Sequence, residues 1–215
     1  MMTPPDALKA RILAATKSRP APTRKSSAPT IGALVALAVA LSVGVLYAFG
    51  GPHHADGRPT ELGNIVVVGL TILAAVASFF ALPRPSSMLP RSRGQLLGVI
   101  VGAPLLLGLW IMAWHPAYAD PFERLGVRCF AMTLLTAPWP FVALARWSTR
   151  IDPVHPRLSG AALGAASGAW AGVMVSLWCP LADPAHVARG HMLPFAVLAL
   201  GGAALGSRLF GLRRV

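Results

Sequence analysis

Six apolar runs, each close to the length that crosses a bilayer, decide what this chain can fold into. They fall at roughly 31–49, 62–82, 95–114, 125–144, 158–178 and 192–210. A helix needs about 20 apolar residues to cross the hydrocarbon core. Six such runs consume over half of a 215-residue chain and leave no room for a soluble globular domain. Composition agrees: 55% of residues are hydrophobic and 12% charged, against about 25% charged in soluble domains. The expected fold is therefore all-α, a polytopic membrane protein of six transmembrane helices.

The net charge of +12 would point to nucleic acid in a soluble protein. Here the basic residues sit in short segments between the apolar runs, so no direct nucleic-acid partner is expected. If the runs alternate across the membrane, one side collects the residues before 31, Arg84, Arg91, Arg93, Arg146, Arg150, Arg157, Arg208, Arg213 and Arg214. The other side holds only Arg58, Arg124, Arg128 and Arg189. Acids reverse the bias: Asp56, Glu61, Asp120, Glu123 and Asp183 lie opposite, against Asp6 and Asp152. The positive-inside rule then places both termini in the cytoplasm. Membrane lipids are the implied surroundings, and Trp110, Trp114, Trp147 and Trp178 lie near proposed helix ends, where aromatic belts form.

The chain divides into a cytoplasmic tail at 1–30, a transmembrane domain at 31–210 and a short cytoplasmic end at 211–215. The polar leader is too long for an ordinary cleaved signal peptide, so the first span is expected to be retained. Thr3-Pro4-Pro5-Asp6 reads as a helix start, with Thr as N-cap and proline in the first turn. A short helix over about 4–17 would put Leu8, Ile12 and Ala15 on one face, with Leu13 beside them and Lys9, Arg11 and Lys17 around it. Residues 18–30, rich in Pro, Ser and basic residues, read as a flexible linker. Two readings stand for the tail: a headgroup-binding segment, or a peptide that folds on a cytosolic partner.

The fifth run carries Gly160, Gly164, Gly168 and Gly172 at every fourth position. Helices in a bilayer associate through close packing, and such a track lets two backbones approach. The sixth run repeats the spacing at Gly202 and Gly206. Packing between these two runs is the first expectation, homodimerisation the second.

Two cysteines occur, Cys129 and Cys179. Topology puts them at similar depth on the non-cytoplasmic side. A disulfide is one reading, and two small buried hydrophobes the other. His53, His54, His115, His186 and His191 lie on the same side. The spacing offers no C-x-x-C, H-x-x-x-H or H-E-x-x-H, so no metal site is expected, and the loop histidines read as solvated. No charged residue falls near the middle of a span, which disfavours an ion-coupled transporter. Polar side chains in the spans are few, chiefly Ser42, Thr71, Ser78, Thr133, Thr136, Ser167 and Ser176. They contain no nucleophile–base pair, and the chain has no phosphate loop. An enzyme is not expected, nor is a cofactor.

A basic N-terminal helix, a Pro-rich linker and six spans with cytoplasmic termini resemble the NrsF-like membrane anti-sigma factors of proteobacteria and myxobacteria. The resemblance is carried by Arg128-Cys129, by Pro156-Arg157-Leu158-Ser159-Gly160 and the Gly/Ala-rich run after it, and by Trp178-Cys179-Pro180 followed by Asp183. Trp178 stands where members often carry a histidine. The resemblance implies a multi-pass protein of the bacterial inner membrane. It would hold an extracytoplasmic-function sigma factor and release it on a membrane or periplasmic signal. It implies that the tail is the clamp, with Leu8, Arg11, Ile12 and Leu13 on the sigma surface, and that Cys129 and Cys179 are candidates for redox sensing. A small-molecule permease or channel, or a structural membrane subunit, is the alternative.

Overall fold

The computed structural model describes residues 24–50, 60–82, 91–114, 126–148, 154–179 and 181–210. Leu8, Arg11, Ile12, Leu13, the helix at 4–17, the end at 211–215 and the histidines His53, His54 and His115 lie outside the described residues. Every element among the described residues is helical. They are α1 (Arg24–Ala48), α2 (Thr60–Ala81), α3 (Arg93–Trp114), α4 (Val127–Thr136), α5 (Pro138–Trp147), α6 (Pro156–Trp178), α7 (Pro184–His186), a π-helix π1 (Val187–Met192) and α8 (Leu193–Leu209). Among the described residues, five helical segments are long and apolar enough to span a membrane, and the apolar part of α1, Gly32–Ala48, is shorter.

Three boundaries differ from the sequence reading. The stretch at 24–30, read as linker, is already helical, because α1 begins at Arg24 and runs through Pro29. Pro29 stands in the second turn, where it withholds one backbone N–H from the ladder without ending the helix. The fourth run is two helices, broken at Ala137, where Pro138 and Pro140 withhold the N–H groups that would continue the ladder. The last helical segment begins eight residues early, at Pro184, so the stretch read as a loop carrying His186 and His191 is helix.

The bundle is organised around α6. Its best apolar window is 83% buried, against 28–33% in the other four spans. It packs on α2, α3, α4, α5 and α8, with the α8 face the most extensive. The reason lies in its side chains. A Cβ added at Gly160 would collide with the Gly202 carbonyl, one at Gly164 with the Leu198 carbonyl, and one at Gly206 with the Pro156 carbonyl. The two backbones therefore touch, as glycine and alanine permit and larger residues forbid. Farther along, Gly172 receives Leu107 of α3.

Six hydroxyls inside the bundle bond to their own helices. Thr71 donates to Val67 O, Ser78 to Ala74 O, Thr133 to Cys129 O, Thr136 to Met132 O, Ser167 to Gly164 O and Ser176 to Val173 O. Such back-bonding satisfies a hydroxyl where no water is available. Arg91 lies outside the spans but is only 5% exposed. Its guanidinium donates to the carbonyls of Leu82 and Phe79 and stacks over the rings of Phe79 and Phe80. A cation there satisfies the orphan carbonyls at the end of α2 and complements its dipole.

Candidate functional site: a buried cysteine–histidine cluster

At the end of the bundle where α4 begins, α6 ends and α7 begins, four side chains converge. Cys129, in the first turn of α4, is 2% exposed; Cys179, the residue that caps α6, is 3%. His186 and His191, at either end of the turn through π1, are 4% and 2% exposed. One ligand atom from each, a sulfur or a ring nitrogen, lies within 4.8 Å of the other three. Nε2 of His186 sits between the two thiols, 3.4 Å from Cys129 Sγ and 3.2 Å from Cys179 Sγ. The two imidazole rings are 5.5 Å apart between centroids. No disulfide joins the two cysteines in this structure.

Each residue is held in place by identifiable local structure. Asp183 caps α7: its Oδ2 accepts the backbone N–H of His186 at 2.9 Å, and Pro184 occupies the first helical turn. The π-helix does the rest. Five residues along an α-helix turn about 500°, so positions 186 and 191 would point some 140° apart. A π-turn closes on the fifth residue instead of the fourth, which brings those positions to one face. Leu193 N–H closes this turn on Ala188 O. Pro194 follows directly. Its ring would press on the carbonyl four residues back in an α-helix, and widening the turn relieves that contact.

Two glycines bring the π-turn against α4. Gly126, at φ 75°, takes the left-handed conformation at the α4 N-cap. Gly190 approaches it so closely that an added Cβ would lie 3.0 Å from Gly126 O and 3.1 Å from Cys129 Cβ. The cluster is walled by Leu46, Met132, Val175 and Leu181, with Phe49 and Trp178 against them. Trp178 donates its indole N–H to Phe49 O at 2.8 Å and meets the Phe49 ring edge-on. This tryptophan therefore ties the end of α6 to the end of α1, and does not enter the cluster as a ligand.

His191 distinguishes the cluster from a set of packed hydrophobes. Both of its ring nitrogens are buried without a hydrogen-bond partner. An imidazole so placed carries a penalty of about 1–3 kcal/mol for each unsatisfied polar group. The solvated-loop reading of His186 and His191 is thus corrected: both are buried, because the helix begins at Pro184 and turns them inward. The arrangement brings two thiols and two imidazoles together, with His186 Nε2 within reach of both sulfurs. It is suited to holding a ligand atom among four donors.

The remaining sequence candidates lie elsewhere. Gly160, Gly164, Gly202 and Gly206 line the α6–α8 contact, Gly168 faces the Leu198 and Phe195 side chains, and Gly172 faces α3. Spacing in the sequence does not by itself connect Cys179 with His186 and His191. The readable signal was an Asp-Pro cap before the histidines and a proline just after them.

No curated protein matches the chain, and no solved structure matches it. A family model described as "Negative regulator of sigma F" matches residues 10–211, which takes in the whole helical bundle and the four clustered side chains. The chain therefore belongs to the NrsF family.

Proposed function

We propose that this chain is a membrane-bound anti-sigma factor of the bacterial inner membrane. It sequesters an extracytoplasmic-function sigma factor through its cytoplasmic N-terminal segment and releases it on a membrane or periplasmic signal. The observation that carries this reading is the family match over residues 10–211. The apolar spans support a multi-pass protein. The bias of basic residues toward the side of the tail supports cytoplasmic termini. Leu8, Arg11, Ile12 and Leu13 form the sigma-binding face in this reading. No enzymatic step is part of this reading.

The test uses the full-length protein, solubilised from membranes with its sigma partner co-expressed. An alternative sigma subunit should co-purify. Leu8→Asp combined with Ile12→Asp should abolish capture while membrane insertion and helix content stay unchanged. Co-purification of the double variant at the wild-type level would remove the tail from the interface. Failure of the wild type to retain any sigma subunit would overturn the reading.

A further inference from the structure

Four donors of two kinds meet at one point in the bundle, and their spacing is that of a coordination sphere. A tetrahedral zinc ion with bonds of about 2.3 Å to sulfur and about 2.0–2.1 Å to nitrogen sets its ligand atoms roughly 3.3–3.8 Å apart. The two sulfur–nitrogen separations about His186 are 3.4 and 3.2 Å. No pair among the four exceeds 4.8 Å. We infer that Cys129, Cys179, His186 and His191 form a closed metal centre for one tetrahedral, thiophilic divalent ion of the zinc–cadmium class.

Three observations support this over a nest of hydrogen bonds. The first is His191, 2% exposed, with both ring nitrogens unpartnered. A metal bond would satisfy one of them. The second is charge. Two thiol protons leave for solvent as the divalent ion enters, so two thiolates and two neutral imidazoles give a neutral site. A neutral site can be buried beside lipid, where an isolated charge cannot. The third is the ligand chemistry. Magnesium and calcium need oxygen donors. The nearby carboxylate, Asp183, is occupied with the backbone N–H of His186. Sulfur and imidazole in equal number select a tetrahedral, softer ion.

With all four positions filled by protein, the centre is structural or sensory, and it does not activate water. Occupancy would tie the start of α4, the end of α6 and the π-turn to one atom. The site does not depend on the sigma-factor reading, so its test measures metal and not repression.

The experiment uses full-length protein in detergent, stripped with chelator under reducing conditions and reloaded with zinc(II), or titrated with cobalt(II) as a spectroscopic probe. Expected results are one zinc per chain, and a cobalt adduct with the intense visible bands of a tetrahedral site and thiolate-to-cobalt charge transfer. Cys129→Ser, Cys179→Ser, His186→Gln and His191→Gln should each weaken binding by more than the roughly 10–100-fold typical of an outer-shell partner. Zinc should also protect both thiols of the wild type from alkylation. The wild-type spectrum decides the matter even if a variant fails to fold. A folded wild type that takes up no zinc, a six-coordinate cobalt spectrum, or a His191→Gln variant that binds as tightly as wild type would each overturn the inference.

Discussion

The two ends of the α6–α8 pair are built on opposite principles. At the Gly160 end, backbone lies on backbone: Gly160, Gly164, Gly202 and Gly206 clear the space. Toward the Cys179 end the backbone contact gives way: Gly168 faces side chains of α8 and Gly172 faces α3. The chain leaves α6, turns through Asp183-Pro184 and re-enters by a π-turn, where two thiols and two imidazoles meet. One end joins the helices by removing side chains, the other by converging polar ones. In a bilayer both strategies work, because apolar surface alone supplies little attraction between helices. The glycine end is thus closed by backbone contact, and the cysteine–histidine end is where the proposed ion would act.

The largest effect should come from the glycine end. Gly164→Leu drives a side chain into the Leu198 carbonyl, and overpacking of this kind costs about 1–3 kcal/mol or more. Gly168→Leu should cost less, because its neighbours are the Leu198 and Phe195 side chains, which can shift. Thermal unfolding in detergent should rank the pair in that order, and equal melting of both variants would break the backbone-contact account.

At the other end, Gly190→Ala pushes on Gly126 O and Cys129 Cβ. We expect about 1 kcal/mol of destabilisation, near the lower bound for overpacking. Alkylation of the otherwise buried Cys129 should also be faster. Unchanged labelling would mean that the π-turn does not hold Cys129 in place. The smallest effect belongs to Asp183→Ala. It removes the cap of a three-residue helix, for which about 0.5–1 kcal/mol, the low part of the N-cap range, is expected. Asp183→Asn keeps an acceptor oxygen and should restore most of that loss. If Asn is no better than Ala, the carboxylate has a role beyond capping.

Most of the architecture was legible in the residues. Long apolar runs commit backbone to helix because lipid offers no other hydrogen-bond partner. Their ends were less legible where proline acts. Pro29 did not stop α1, whereas Pro138 and Pro140 divided the fourth run. Arg91 shows a second limit. Counted as a charge it marks a membrane side, yet in the structure it closes the α2 terminus by bonding Phe79 and Leu82.

The sequence alone determined a chain of helices apolar enough to span a membrane and a glycine spacing that repeats in α6 and α8. These features depend on local composition and on the period of a helix, which neighbouring residues carry among themselves. Tertiary structure alone decided that Cys129, from a different helix, joins Cys179, and that two histidines five residues apart share a face. The physical reason is that a π-turn changes the period on which spacing arguments rest, while a glycine-to-glycine approach at Gly126 and Gly190 sets a distance between segments far apart in the chain.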